Sequence, residues 1–97
     1  MESYKLSELA EEDLRLIVAR TIADWGQPQA EKYVLLLHET MLQIANSPHM
    51  GRKRPELYED TMSFPVGKHI VYYLKVEAGI EIARILHQRM DVVTAFE

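Results

Sequence analysis

The first half of the chain carries apolar residues at helical spacing. A short alternation of apolar and polar residues at 4–7 is typical of a strand with one buried face. Beyond it, apolar positions recur every three or four residues, which predicts two consecutive amphipathic helices. The predicted apolar stripes are Leu14, Ile17, Val18, Ile22 and Trp25 in the first helix, and Ala30, Tyr33, Val34, Leu37, Met41, Ile44 and Ala45 in the second.

Capping residues mark the ends of these helices. Ser7 is a suitable N-cap, because its side chain can accept a hydrogen bond from the first helical turn. Gly26 suits the end of the first helix, and Pro28 suits the first turn of the next. The second helix is expected to run from Pro28 to Asn46, so the two helices form a hairpin.

The second half is rich in β-branched and aromatic residues, which favour strands. Turn residues follow the second helix, and the segment from Arg52 to Pro55 is expected to be a basic loop. Short connections between the next strands favour an antiparallel meander. In the tail from Met90 to Glu97, Asp91 is placed to cap one helical turn. The three predicted strands cover residues 57–64, 68–76 and 80–87.

This order predicts a single α+β domain over residues 1–97, with an N-terminal strand, an α-helical hairpin and a three-stranded antiparallel meander (β-α-α-β-β-β). A composition of 47% apolar and 27% charged residues is usual for one globular domain. The absence of Cys excludes a disulfide framework and a thiolate zinc site. No signal-peptide pattern and no apolar run near the ~20 residues of a membrane span are visible, so a cytoplasmic protein is expected.

The charge balance argues against a dedicated nucleic-acid-binding protein. The formal net charge is −4, whereas affinity for nucleic acid rests on a positive surface. Residues 1–47 hold four basic and eight acidic side chains, while residues 48–97 hold seven of each. The basic run from Arg52 to Arg54 is shorter than a credible nucleic-acid patch, and an exposed solubilising loop explains it as well.

The polar residues give no signature of a metal site or of catalysis. None of the four histidines, His38, His49, His69 and His87, pairs on a helix with a carboxylate or a second His at ligand spacing such as i,i+4, so no metal and no other cofactor is expected. No phosphate loop and no nucleophilic triad is signalled, so no catalytic residue is assigned. His87 is flanked by Arg84 and Arg89, but Arg84 lies on the opposite face of an ideal strand unless a bulge intervenes.

Local segments along most of the chain carry a family resemblance. The segments are Ala10–Leu14, Trp25–Tyr33, Pro48–Gly51, His69–Tyr73 and Ile82–Asp91. Together they resemble ParE-type toxins of the RelE/ParE superfamily of bacterial toxin–antitoxin modules. The resemblance extends from about Tyr4 to Asp91, and the last segment is its most specific part.

The resemblance implies a toxin that inhibits DNA gyrase, blocks replication and is not an enzyme. It further implies a ParD-like antitoxin as partner, through which the complex would bind operator DNA. Two alternatives stay open: a RelE-type toxin that cleaves mRNA on the ribosome, and an inert member that only binds its antitoxin. The strands offer a ribonuclease few cations, and the net charge of −4 opposes docking into ribosomal RNA, which favours the gyrase interpretation.

Two candidate contact surfaces follow. The end of the last strand with its tail and the basic run is the candidate target-binding surface, comprising Arg84, His87, Arg89, Asp91, Arg52 and Arg54. The leucines that widen the stripe of the second helix are the candidate antitoxin-binding surface, comprising Leu35, Leu36 and Leu42. Each surface also has a purely structural alternative. The charged residues of the first could form ion pairs such as Arg84–Glu81 or Arg89–Asp91, and the leucines of the second could belong to the core.

Overall fold

A computed structural model describes residues 3–96 as a five-stranded sheet with a helical hairpin packed against it. In chain order the elements are β1 (Ser3–Leu6), α1 (Glu8–Trp25), α2 (Gln27–Asn46), a 3-10 turn (Pro48–Met50), β2 (Arg52–Lys53), β3 (Met62–Val66), β4 (His69–Val76), β5 (Gly79–His87) and α3 (Val92–Phe96). The strand order across the sheet is β1-β5-β4-β3-β2. The predicted α+β fold is therefore confirmed.

The first strand makes the sheet mixed rather than wholly antiparallel. Strands β3, β4 and β5 form the predicted antiparallel meander. Strand β1, however, pairs in parallel with β5, with Tyr4 opposite Ile80 and Leu6 opposite Ile82. The direction of this pairing depends on how the chain returns after the hairpin and the meander, which local alternation of residues cannot indicate.

The strand predicted over residues 57–64 begins later than expected, because β3 spans Met62–Val66. Two successive turns, closed by the backbone N–H groups of Leu57 and Thr61, occupy the preceding residues. Pro65, expected to end the strand, lies inside it. A proline is tolerated there because β2 does not extend to its side, so no neighbouring strand needs its missing N–H.

The prediction of a loop at the basic run was wrong for two residues. Arg52 and Lys53 form the edge strand β2, where they pair in antiparallel register with Ser63 and Met62. Two residues are too few to show the alternation by which a strand is recognised in sequence. Only Arg54, which follows, lies outside regular structure in this run.

The core lies between the hairpin and the sheet. The predicted stripe of α2 is confirmed at its most buried positions, and the core is completed from β3, β4 and β5. In α1 the prediction holds for Ile17, but Ile22 is 44% exposed and Trp25 is 68% exposed. Helix α1 instead buries Ala10 and the carboxylate of Asp13. Within residues 3–96, no helix combines the length and apolarity that a bilayer crossing requires.

Candidate functional site

An ion pair holds the first candidate residue, Arg84. Its Nε and Nη2 donate to the two carboxylate oxygens of Asp13 on α1 at 2.8 and 2.9 Å, and its Nη1 donates to the carbonyl of Ala95 on α3 at 3.0 Å. The hydrogen bonds to Asp13 raise the pKa of Arg84 further above its usual value. Arg84 therefore links β5 to both α1 and α3, instead of forming the alternative pair with Glu81.

A β-bulge in β5 determines which way Arg84 points. On β4, Tyr72 lies opposite Arg84. The next residue of β4 lies opposite Ile82, so Ala83 is the extra residue of the bulge. Because the bulge comes before Arg84, Arg84 and His87 stay on opposite faces of β5. These two candidate side chains therefore leave β5 in opposite directions.

Arg54 contacts Tyr72, the residue that lies opposite Arg84 in the sheet. The Arg54 guanidinium lies 5.6 Å from the centroid of the Tyr72 ring. Phe96 of α3 packs against the same ring, with centroids 5.4 Å apart. Arg54 Nε also donates to Glu56 at 2.7 Å. These contacts bury Tyr72, although it lies on the sheet face opposite to the hairpin.

The remaining charged candidates are exposed and lie at two separate places. Arg52 is on the edge strand β2, and Arg89 and Asp91 are on the segment between β5 and α3. The Asp91 carboxylate accepts the backbone N–H of Val93 at 3.1 Å, which confirms the expected cap of a helical turn. In the described part of the chain, Arg89 and Asp91 form no ion pair.

His87 belongs to a histidine pair that lines a cavity on the hairpin face of the sheet. His87 and His69 lie opposite each other on β5 and β4, with ring centroids 5.4 Å apart. The cavity has a volume of about 800 Å³, and Leu16, Trp25 and Lys68 also line it. Burial, followed by the neighbouring His87, lowers the pKa of His69 below its usual 6.5. The His69 ring is therefore neutral at pH 7.

Tyr33 of α2 anchors this histidine pair, a role that the sequence did not reveal. Its hydroxyl lies 2.6 Å from Nδ1 of His69 and accepts the backbone N–H of Lys68 at 3.1 Å. Burial raises the pKa of Tyr33, so the hydroxyl keeps its proton. Tyr33 and His69 are 36 positions apart, and no local pattern links them. Within residues 3–96, no three His, Asp or Glu side chains are grouped as metal ligands.

The candidate antitoxin-binding leucines of α2 are only partly core. Leu35 is 55% exposed and Leu36 is 43% exposed, while Leu42 is partly buried. The interpretation of all three as core is therefore wrong for Leu35 and Leu36. These two present an apolar surface that no described residue covers.

Comparison with known proteins identifies the family. Residues 4–92 match the family described as "ParE toxin of type II toxin-antitoxin system, parDE". The chain belongs to the ParE toxin family. As a member of that family, it is the toxin component of a type II toxin–antitoxin system, and an antitoxin partner is implied.

Relatives and a solved structure agree with this assignment to the ParE family. The Toxin ParE1 of Mycobacterium tuberculosis (strain CDC 1551 / Oshkosh) is 36% identical over 90 residues, covering 92% of each chain. The Toxin ParE1 of Caulobacter vibrioides is 36% identical over 91 residues, covering 94% of each chain. A structure described as "Chromosomal ParDE TA system from P. aeruginosa" shares the fold, with a TM-score of 0.75 at 21% identity over 90% of this chain and 96% of that one.

On this ParE toxin, the candidate target-binding residues fall into two groups. Arg54 contacts the Tyr72 ring, and Arg84, opposite Tyr72 in the sheet, bonds to Asp13 and to the backbone of α3. His87 lies with His69 on the hairpin face. The predicted family and fold are confirmed, whereas the target-binding and antitoxin-binding roles of the named residues stay predictions.

Proposed function

We propose that this toxin inhibits DNA gyrase in the cytoplasm, thereby blocking replication, and that a ParD-like antitoxin neutralises it. The main support is that two arginines at the sheet are already engaged: Arg84 with Asp13, and Arg54 with Glu56 and Tyr72. An RNA-cleaving site needs several free cations and a base directed at one phosphate. Engaged guanidinium groups and a net charge of −4 favour a protein target over an RNA substrate.

The proposed gyrase-contacting surface centres on the segment between β5 and α3. Arg89 and Asp91 are exposed there, His87 is partly exposed beside them, and Arg52 is exposed on β2. Arg84 acts in this proposal as a positioning residue, because its bond to the α3 backbone holds the adjoining helix against the sheet. Arg54 contributes in the same way through the Tyr72 ring, against which α3 also packs.

The deciding experiment is a supercoiling assay with purified gyrase and the purified toxin. We expect the toxin to inhibit supercoiling, and Arg89→Ala to weaken that inhibition. Arg15→Ala is the matched control, since Arg15 is exposed on α1 and bonds to its neighbour Glu12. A parallel assay measures cleavage of ribosome-bound mRNA. Cleavage without supercoiling inhibition would overturn the proposal in favour of a RelE-type activity.

Expression in cells separates an active toxin from an inert one. If the chain is a gyrase inhibitor, expression without an antitoxin arrests growth, and co-expression of the antitoxin restores it. Unimpaired growth at a verified protein level would indicate an inert member that only binds its antitoxin and, through it, operator DNA. Arg84→Ala together with His87→Ala should relieve the arrest if the proposed surface carries the toxicity.

The antitoxin is proposed to cover the exposed leucines of α2 with an amphipathic helix, and a strand of it can add to a free sheet edge. Burial of an apolar side chain of this size stabilises a contact by about 1.5–3 kcal/mol. Leu36→Glu should therefore abolish capture of the cognate antitoxin in a pull-down. Leu16→Glu is the matched control, because Leu16 is 61% exposed but lies on α1. Loss of capture with Leu16→Glu alone would place the antitoxin on α1 instead.

A further inference from the structure

The Nδ1 atoms of both cavity histidines are engaged, and for His87 this determines what the ring presents to the cavity. The backbone N–H of Arg89 donates to Nδ1 of His87 at 3.1 Å. A neutral imidazole that accepts at Nδ1 carries its proton on Nε2. The Tyr33 hydroxyl lies 2.6 Å from Nδ1 of His69, accepts the N–H of Lys68 and donates to the carbonyl of Val66 at 3.2 Å. The Nε2–H donor is therefore assigned to His87 alone.

The Nε2 atoms of both rings are accessible to solvent. Neither has a hydrogen-bond partner among residues 3–96, and no buried side-chain nitrogen or oxygen there lacks one. The backbone N–H of Ile85 donates to Asp13 and therefore points away from β4. Because the two kinds of pair alternate along an antiparallel ladder, His87, two residues after Ile85, also forms a non-hydrogen-bonded pair, and its partner is His69. Side chains lie closest in such pairs, and the two rings are neighbours, with centroids 5.4 Å apart.

The same cavity adds positive charge and an aromatic wall. Lys68 and Arg20 line it, and the Lys68 ammonium lies 5.9 Å from the centroid of the Trp25 ring. Of the lining carboxylates, Asp13 is already held in an ion pair, which leaves Asp24 to offset the two cations. Trp25 is 68% exposed and also borders an adjoining cavity of about 470 Å³. The site therefore joins hydrogen-bond donors to an accessible indole face.

We propose that this cavity binds a nucleotide, whose phosphate accepts hydrogen bonds from His87 Nε2–H and from Lys68 Nζ, while its base stacks on Trp25. A phosphate offers only acceptors toward these donors, and base–aromatic stacking tolerates any base. A metal ion does not fit, because the protonated Nε2 of His87 has no lone pair to give and no three His, Asp or Glu side chains among residues 3–96 are grouped as ligands. The volume of about 800 Å³ is usual for a small-molecule site.

The proposal concerns binding rather than cleavage. The His87 ring, which presents Nε2–H, can donate to a phosphate but cannot remove a proton from a ribose hydroxyl at that atom. Nucleotide binding is thus a further function beyond gyrase inhibition. Neither proposal requires the other to hold.

Fluorescence of Trp25, the only tryptophan of the chain, tests the proposal directly. We expect adenosine 5′-monophosphate to quench it saturably, inorganic phosphate to compete, and adenosine to bind about tenfold more weakly for lack of the charge-assisted bonds. His87→Gln should weaken the nucleotide by a similar factor. His38→Gln is the control, since His38 bonds to Tyr4 outside the cavity.

A measurement on the unmodified protein guards against a variant that fails to fold. Long-range 15N–1H spectra of the imidazoles should show the Nε2 signals of His69 and His87 shifting on addition of inorganic phosphate, with the His38 signal unchanged. No quenching and no shift up to about 10 mM ligand, well above a millimolar Kd, would overturn the proposal. Equal competition by acetate would also overturn it, because the site would then take carboxylates as well as phosphates.

Discussion

Asp13 and Arg84 lie 71 positions apart in the chain and meet in a two-pronged ion pair at 2.8 and 2.9 Å. Asp13 is a buried carboxylate on the inner face of α1, and it also accepts the backbone N–H of Ile85. The acidic first half of the chain and the more basic second half thus meet at one buried contact. Through Arg84, this contact reaches the carbonyl of Ala95 and so holds α3 in place.

We expect Arg84→Met to lower the free energy of unfolding by about 3 kcal/mol, because it leaves the Asp13 carboxylate buried without a countercharge. The side chains of this pair are 18% and 9% exposed. Urea denaturation measures the loss. Arg15→Met is the control, since its pair with Glu12 is exposed and should contribute less than about 1 kcal/mol. Equal losses in both variants would show that the Asp13–Arg84 pair is no stronger than a surface pair.

Ser7→Ala should destabilise the fold by about 1–2 kcal/mol. The Ser7 hydroxyl accepts the N–H of Ala10 at the start of α1 and donates to the carbonyl of Ala83 in the bulge at 2.8 Å. Thermal denaturation followed by circular dichroism measures the change. Ser47→Ala, at a helix end without a side-chain cap, should change stability by less than about 0.5 kcal/mol. A loss no larger at Ser7 than at Ser47 would contradict the expectation.

Gly79→Ala should detach β1 from the sheet. Gly79 has φ of +144°, and a Cβ atom there would lie 1.8 Å from the carbonyl oxygen of Ser3. The conformation alone disfavours alanine by about 1–3 kcal/mol, and the backbone must also move. Hydrogen exchange should show faster exchange for the β1 amides. Gly26→Ala is the control, because φ is +90° there but the nearest atom is 3.8 Å away. Unchanged protection of β1 would contradict the prediction.

The free energy of unfolding should decrease as the pH is lowered, because of the titration of His69. Its pKa in the folded protein is lowered by burial, so the unfolded chain binds a proton more readily. Stability is therefore complete above the unfolded pKa of about 6.5 and declines as the pH falls below it. We expect His69→Gln to reduce the loss of Tm between about pH 7 and pH 5. An unaltered slope in His69→Gln would count against burial of this ring.

The sequence by itself determined the elements whose signals are local. The N-cap at Ser7, the helix joint at Gly26 and the stripe of α2 predict the hairpin, because caps and i,i+4 contacts involve neighbours in the chain. Short connections likewise predict the β3–β5 meander. The motif from Ile82 to Asp91 also indicated the family, which the match over residues 4–92 confirms.

Only the tertiary structure decided which distant groups meet. It placed β1 parallel to β5, displaced β3 beyond two turns, and turned Trp25 toward solvent although it lies on the predicted apolar stripe. It also joined Asp13 to Arg84. In the cavity it brought Tyr33, His69 and His87 together. Periodicity records which side of an element is apolar, but partners many positions apart depend on the path of the whole chain, for which a local pattern carries no signal.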